Sequence, residues 1–142
     1  MIQSRRCCLS RYLLLAVLLA GCYIPSDTGM QFDSVQDVVD WVADHIEYRS
    51  DEQRWDVSDY WQTPSQTLAK RTGDCEDFVV LDMQLLHEIG IESWMVLLPG
   101  HAMLLVQNTY CEATSGRWAG VPDDIEGTHG YYEVMNWVGH FQ

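Results

Sequence analysis

The chain has 142 residues, of which 21 are acidic and only eight are lysine or arginine, so its formal net charge is −13. That balance excludes nucleic-acid binding, because no basic stripe is available to neutralise phosphates. An anionic surface instead suits cationic partners, metal ions or simple solubility. The length is sufficient for one compact domain with a single core.

The first 21 residues have the pattern of a secretory signal peptide. Basic residues precede the apolar run 12–19, and Ala20-Gly21 supplies small residues before a cleavage point. The run is too short to span a bilayer, which takes about 20 apolar residues. Removal of residues 1–21 would change the net charge to about −16, because three of the eight basic residues and no acidic residue lie there.

Leu19-Ala20-Gly21-Cys22 resembles a bacterial lipobox, in which the cysteine becomes the lipid-modified first residue of the mature chain. Lipid chains contribute about 0.8 kcal/mol per buried methylene, so a multiply acylated Cys22 would anchor the domain to a membrane. Tyr23 is not the aspartate that would indicate inner-membrane retention, so we expect an outer-membrane anchor facing the periplasm. An ordinary signal peptide and a retained N-terminal anchor are the alternatives. We predict a lipidated N-terminus and tether over 22–33 and a folded domain over 34–142.

Apolar residues at helical spacing predict three helices in the first half of this domain. They cover residues 34–48, 64–70 and 75–89. Ser34 is a candidate N-cap for the first, and Pro64 occupies the first position of the second. Gly90 ends the third. Residues 49–61 are polar, and we expect a loop there.

Strand patterns replace helical ones from residue 91 onward. Three strands are predicted, over 91–98, 102–107 and 110–114, with a hairpin among them. Residues 115–130 are rich in turn formers, and the aromatic segment 131–141 has no clear assignment. Because the helices precede the strands, the predicted fold class is α+β.

One cysteine, one histidine and one acid occupy positions that these elements could bring together. Cys75 begins the third helix, where free amide groups and the helix dipole favour a thiolate. His101 follows a Pro-Gly turn at the head of a strand, and Glu112 lies on the paired strand, from which it could fix the histidine tautomer. Such a triad attacks an acyl carbon with the thiolate while the imidazole transfers the proton. Taken singly the signals are weak, because a lone histidine or strand glutamate is usually a surface residue.

Three carboxylates flank Cys75 and oppose its ionisation. Asp74 and Asp77 fit an N-cap with its capping-box acid, worth about 1 kcal/mol. The other interpretation is a Ca²⁺ held by Asp74 and Glu76, whose charge would cancel that of the carboxylates. We favour capping, because no EF-hand-like spacing supplies the six or more oxygens that calcium takes. Asp82, farther along the helix, is at most a distant contributor.

A second cysteine, Cys111, directly precedes Glu112. In an oxidising compartment, a disulfide between Cys75 and Cys111 is the main structural alternative to a catalytic thiol. Strand side chains alternate between faces, so Cys111 points into the core if Glu112 faces His101. This argues against the disulfide without excluding it.

Five short motifs follow one another along residues 34–115. They are Trp61-Gln62-Thr63-Pro64, Gly73-Asp74-Cys75-Glu76-Asp77-Phe78, Gly90-Ile91, Gly100-His101-Ala102 and Glu112-Ala113-Thr114. Together they resemble the transglutaminase-like superfamily core, and in particular the bacterial transglutaminase-like cysteine peptidases. The resemblance implies a papain-like core in which the helix that begins with the catalytic cysteine packs on a small antiparallel sheet.

The same resemblance implies roles for individual residues. Cys75 would be the nucleophile, His101 the general base and acid, and Glu112 the orienting acid. Members of the family usually carry Asp at the third position, so Glu112 is a departure that requires the hairpin to lie slightly farther back. Trp61 and Gln62 are candidate oxyanion donors, worth about 3–4 kcal/mol of transition-state stabilisation. Packing of Trp61 over the helix is an equal alternative.

The sequence therefore predicts a membrane-anchored, cell-envelope thiol hydrolase that cleaves a peptide or amide bond through an acyl-Cys75 intermediate. Its partners would be a protein or peptide substrate and, through Cys22, a membrane. No cofactor is required for this chemistry, although members of the resembled group that cleave adhesins use calcium near the cysteine motif. Acyl transfer to an amine and a non-catalytic binding or scaffold lipoprotein stay open as alternatives.

Overall fold

The computed structural model describes residues 30–55, 59–120 and 133–135. The predicted signal peptide, Cys22 and most of the predicted tether lie outside these residues and stay predictions. Within the described ranges, no helix combines the length and the apolar character needed to cross a membrane.

Helices come first and the main sheet follows them in the described chain. The helices are α1 (Val35–His45), α2 (Asp51–Trp55), α3 (Pro64–Lys70) and α4 (Cys75–Glu88). The strands are β1 (Glu47–Tyr48), β2 (Thr72–Gly73), β3 (Ser93–Leu98), β4 (His101–Val106), β5 (Thr109–Glu112), β6 (Arg117–Gly120) and β7 (Glu133–Met135). The α+β class expected from the sequence is confirmed.

Strands β3 to β7 form an antiparallel sheet in the order β6-β5-β4-β3-β7. The main core lies between this sheet and helices α1 and α4. Because strand side chains alternate between faces, Met95, Leu104 and Cys111 belong to this core. Val96 and Met103 belong to a smaller apolar cluster on the other face.

Two of the helices begin with side-chain caps. The Ser34 hydroxyl accepts a hydrogen bond from the backbone N–H of Asp37 at 3.2 Å, which satisfies one of the free donors at the start of α1. Thr63 and Gln66 form a reciprocal capping box around Pro64 at the start of α3. The helix starts predicted at Ser34 and Pro64 are confirmed.

A short parallel strand pair joins the chain after α1 to the chain before α4. Glu47 is paired with Thr72, and Tyr48 is paired with Gly73. The backbone N–H of Arg49 continues the pairing by donating to the carbonyl of Gly73 at 2.8 Å. The pairing therefore brings the segment after α1 next to the first residues of α4.

Several boundaries differ from those expected. The helix predicted over 34–48 ends at His45, because the next residues are used in β1. The segment 49–61, expected to be a loop, contains α2, whose two acidic first-turn residues favour a helix start. The turn-rich segment 115–130 contains β6, a largely exposed edge strand without the apolar alternation that would have indicated it.

Candidate active site

Cys75 is the first residue of α4, preceded by Asp74 in an extended conformation. The cysteine is partly buried against the main core. Its Sγ lies 3.1 Å from Oε2 of Glu76. A hydrogen bond from the backbone of Ala102 also reaches the thiol and lowers its pKa. Since Ala102 directly follows His101, the thiol lies beside the start of the strand that carries the histidine.

His101 and Glu112 form a hydrogen-bonded pair on adjacent strands. Nε2 of His101 lies 2.8 Å from Oε2 of Glu112, and each side chain is 34% exposed. The register that pairs Leu104 with Cys111 places the two residues on one face, two positions from direct opposition. A diagonal partner is farther away than a direct one. The longer side chain of glutamate, compared with aspartate, therefore suits the distance from Glu112 to His101. The contact through Nε2 leaves Nδ1 as the ring nitrogen that can exchange a proton with another group.

Cys111 lies on the other face of β5 from Glu112. Its side chain is fully buried in the main core. Both Cys75 and Cys111 are free cysteines in the structure. The alternation along the strand therefore separates the buried thiol from the histidine pair, as the sequence indicated.

Three carboxylates from two separate segments meet beside the nucleophile. Ligand oxygens of Asp51, Asp74 and Glu76 all lie within 4.8 Å of one another. Asp51 is 2% exposed and Asp74 is 7% exposed. One oxygen of Asp74, Oδ1, is buried and has no hydrogen-bond partner among the residues that the structure describes. Asp51 was not predicted, because its approach depends on the β1–β2 pairing, which has no local sequence signal.

The expected capping box at α4 is wrong. Asp74 holds the N-cap position, but its side chain makes no capping hydrogen bond. Asp77 turns away from the helix terminus: its Oδ1 accepts the backbone N–H of Gln62 at 2.7 Å, and its Oδ2 accepts from the Gln62 side chain. Gly73 makes room for this arrangement, since a Cβ there would lie 2.7 Å from Cβ of Asp77. The carboxylate that looked like a cap instead ties the segment before α3 to α4.

The two candidate oxyanion donors are engaged elsewhere. Gln62 is fully buried, and its Nε2 donates both to Asp77 and, at 2.9 Å, to the carbonyl of Thr72. The indole N–H of Trp61 donates to Asp59 at 2.6 Å, while its ring packs against the main core. This geometry favours structural roles for both side chains. Their oxyanion role stays a prediction that requires these hydrogen bonds to break.

Burial and the neighbouring carboxylates together keep the thiol of Cys75 protonated. Burial, followed by the hydrogen bond and the charge of Glu76, raises the pKa of Cys75 to about 12. Burial, followed by the charge of Glu76, also raises the pKa of Asp74 to about 8. Negative charge on Asp74 and Glu76 therefore makes ionisation of the neighbouring Cys75 thiol less favourable.

This cluster fits a hard divalent cation. Carboxylate oxygens are the ligands that Ca²⁺ prefers, and three of them converge here at low exposure. The unpartnered oxygen of Asp74 is further support, because a buried carboxylate oxygen without a partner is costly. Asp82, considered as a distant contributor, is fully buried and does not belong to the cluster.

Among solved structures, the chain is similar to LapG of Legionella pneumophila. The EGTA-treated form has a TM-score of 0.55 at 15% identity, over 72% of this chain and 62% of the LapG chain. The calcium-bound form has a TM-score of 0.52 at 15% identity, over 72% of this chain and 63% of LapG. The chain therefore spans less than two thirds of the length of these LapG structures, and at this identity the similarity shows the fold. No curated protein sequence matches the chain.

The sequence comparison with protein families is more specific. A match to the bacterial transglutaminase-like cysteine proteinases (BTLCP) covers residues 24–111. That range includes Cys75 and His101 and most of the described core. The chain belongs to the family of bacterial transglutaminase-like cysteine proteinases.

Proposed function

We propose that this protein is a cell-envelope cysteine peptidase that cleaves a peptide or amide bond through an acyl-Cys75 intermediate. One observation carries the proposal: the thiol lies beside the head of the strand whose His101 is hydrogen-bonded to Glu112. Family membership supports peptidase chemistry on a protein or peptide substrate.

We infer the following reaction from this arrangement. The Cys75 proton passes to Nδ1 of His101, and the thiolate attacks the carbonyl carbon of the scissile bond. Glu112 accepts a hydrogen bond from the ring's other nitrogen, so it holds the tautomer and stabilises the imidazolium. His101 then donates its proton to the leaving amine. In the second half, His101 takes a proton from water, which hydrolyses the thioester and releases the thiol.

Calcium is the second part of the proposal, with Asp51, Asp74 and Glu76 as its carboxylate ligands. A bound Ca²⁺ would supply positive charge that offsets the three carboxylates beside the thiol. The buried, unpartnered oxygen of Asp74 supports this assignment. One of the LapG structures is calcium-bound.

Calorimetric titration with CaCl₂ tests these ligands without using activity. We expect binding to the unmodified protein and a loss of affinity of at least roughly tenfold in Asp51→Asn and in Asp74→Asn. Asp44→Asn is the matched control, because Asp44 is exposed on α1. The assignment is wrong if the unmodified protein binds no calcium or if Asp51→Asn binds as tightly as the control.

The envelope location is proposed from the sequence. A signal peptide over 1–21 and lipidation of Cys22 would tether the domain to the outer membrane, facing the periplasm. Metabolic labelling with a fatty-acid probe should mark the unmodified protein and not Cys22→Ser. Equal labelling of both, or of neither, would contradict the lipid anchor.

Product analysis separates peptidase activity from the other two functions. The protein and Cys75→Ala are incubated with a mixture of unfolded polypeptides, with calcium and an added primary amine, and the products are identified by mass spectrometry. Hydrolysis yields new free carboxyl ends, whereas acyl transfer yields products that carry the amine. The high pKa of Cys75 is the observation that favours a non-catalytic protein. Absence of any Cys75-dependent product would support that alternative and reject the proposal.

A further inference from the structure

Arg117 is a cation at the end of the sheet that carries the candidate active site. Strand β4 begins at His101, the antiparallel β5 ends at Glu112, and β6 begins at Arg117. The three residues therefore lie at the same end of neighbouring strands. Cys75 lies at that end too, since it packs against the main core and its thiol receives a hydrogen bond from the backbone of Ala102.

The strand register gives the direction of the Arg117 side chain. Arg117 pairs directly with Glu112, and directly opposed residues on neighbouring strands point to the same face of a sheet. Glu112 in turn contacts His101 at 2.8 Å. The next residue, Trp118, donates its indole N–H to Gln36 of α1 at 2.7 Å, so Trp118 points to the helix-covered face and Arg117 to the other. Arg117 therefore shares a face with the histidine pair.

The guanidinium of Arg117 is exposed and open to an incoming acid. Glu112 is its direct neighbour but contacts His101 instead, and within the described residues Arg117 forms no ion pair with any carboxylate. It is also the one lysine or arginine on the described strands of this sheet. On a chain with a net charge of −13, Arg117 thus offers a substrate carboxylate a local cation beside the site.

The spacing of strands gives the distance from Arg117 to the reacting bond. Neighbouring strands lie about 4.8 Å apart, so β6 is about 10 Å from β4 and its first residue, His101. An extended peptide advances about 3.3 Å per residue, so a substrate that crosses the strand ends would bring a side chain to Arg117 about three residues from the scissile bond. The planar fork of an arginine matches a carboxylate with two parallel hydrogen bonds.

We propose that Arg117 is a specificity-determining residue, which binds an Asp or Glu side chain of the substrate about three residues from the scissile bond. The inference rests on the proposed function, because it concerns the peptide that acylates Cys75. The contact is non-covalent and leaves proton transfer to His101. Arg117 therefore determines which bonds are cleaved, and the intrinsic reactivity of the thiol does not depend on it.

The residues that surround cleaved bonds test this preference. The full-length protein, with CaCl₂, is incubated with a mixture of unfolded polypeptides, and mass spectrometry identifies the bonds that are cleaved. We expect Asp and Glu to be enriched roughly two to four positions from these bonds. The enrichment should disappear in Arg117→Ala and be replaced by enrichment of Lys and Arg in Arg117→Glu. Lys70→Ala is the matched control, because it also removes one exposed positive charge, at the end of α3.

A pair of synthetic peptides measures the size of the effect. One peptide is a sequence that the unmodified protein cleaves, and the other has the corresponding amide in place of its acidic side chain. We expect the amide to lower kcat/KM by roughly three- to tenfold for the unmodified protein and for Lys70→Ala, and to leave it unchanged for Arg117→Ala. Acylation of Cys75 by a p-nitrophenyl ester, which lacks such a side chain, should be equally fast in all three proteins. Thermal unfolding checks that the variants fold.

Each outcome decides a separate point. Slower ester acylation in Arg117→Ala would mean that the residue acts through Glu112, which overturns the inference. Cleavage sites in Arg117→Ala that match those of the unmodified protein would overturn it as well, while the proposed function stands. If the unmodified protein neither forms acyl-Cys75 nor cleaves any polypeptide, the proposed function fails and the inference fails with it.

Discussion

The two thiols of the described chain have a similarly raised pKa but differ in their exposure and in the charged groups beside them. The pKa of Cys75 and that of Cys111 are each raised to about 12. Burial is the largest cause for both, followed by Glu76 for Cys75 and by Asp82 for Cys111. Cys75, however, is partly exposed and receives a hydrogen bond that lowers its pKa, whereas Cys111 is sealed in the core. The pKa alone therefore does not distinguish the two thiols, whereas their exposure and their neighbouring groups do.

What separates the two is whether part of the cause of the raised pKa can be removed. The negative charge beside Cys75 belongs to a cluster that suits a cation, and a counter-charge there would favour the thiolate. The desolvation of Cys111 can be relieved only by opening the core. Cys75 is thus a thiol that a ligand could activate, and Cys111 is a packing residue.

The largest effect expected from this comparison is on acylation. His101→Ala should slow acylation of Cys75 by roughly 10²–10⁴-fold, because the thiol loses its proton acceptor. Cys111→Ala should leave the rate unchanged. Stopped-flow release of p-nitrophenol measures both, and loss of acylation in Cys111→Ala alone would reverse the assignment of the two thiols.

Alkylation should discriminate between the thiols in the folded protein. Iodoacetamide should modify Cys75 faster than Cys111 by on the order of 10²-fold or more, because a core thiol reacts only when the structure opens. Peptide mapping of partly labelled protein gives the two rates. In denaturant the two thiols should be alkylated at similar rates. Similar rates in the native state would mean that the core does not protect Cys111 from the reagent.

Charge removal next to each thiol sharpens the comparison. Glu76→Gln removes a charge and the contact at 3.1 Å from Cys75, so it should lower the thiol pKa and raise the alkylation rate by roughly tenfold, the equivalent of one pKa unit. Asp82→Asn is the mirror variant beside Cys111 and should leave Cys75 unaffected. A rate for Glu76→Gln equal to that of Asp82→Asn would exclude Glu76 as a cause of the raised pKa.

A further effect of the buried carboxyl beside Cys111 concerns stability. Burial raises the pKa of Asp82 well above its usual value, and neither carboxylate oxygen has a hydrogen-bond partner in the described part of the chain. The folded protein keeps a proton on Asp82 that the unfolded chain releases above about pH 4. The free energy of unfolding therefore falls as the pH rises from about 4 towards the raised pKa of Asp82, by at most about 1.4 kcal/mol per pH unit. Urea unfolding between pH 5 and 8 should show a weaker pH dependence in Asp82→Asn. An identical pH dependence in both proteins would refute the buried, neutral carboxyl.

Local patterns were sufficient for much of the fold and for part of the site. Ser34 and Pro64 indicated helix starts because capping depends on neighbouring residues. The position of Cys111 in the core followed from strand alternation relative to Glu112. In both cases the relevant physical contact lies within one element or between adjacent strands.

The parts that were missed depend on contacts between distant segments. Asp51 reaches the site through the β1–β2 pairing, which is two residues long on each strand and therefore too short for a periodic signal. The spacing of Asp77 from Asp74 predicts a capping acid, but the buried partner of Asp77 is Gln62, 15 positions away. Only tertiary packing decides between such alternatives.

The central claim is that Cys75 is the group that becomes acylated. Its most direct test is mass spectrometry of the protein quenched in acid after brief exposure to a p-nitrophenyl ester with calcium present, followed by peptide mapping. We expect one acyl group per molecule, on the peptide that contains Cys75, and none in Cys75→Ala. An acyl group on the Cys111 peptide, or no adduct in the unmodified protein, would contradict the account.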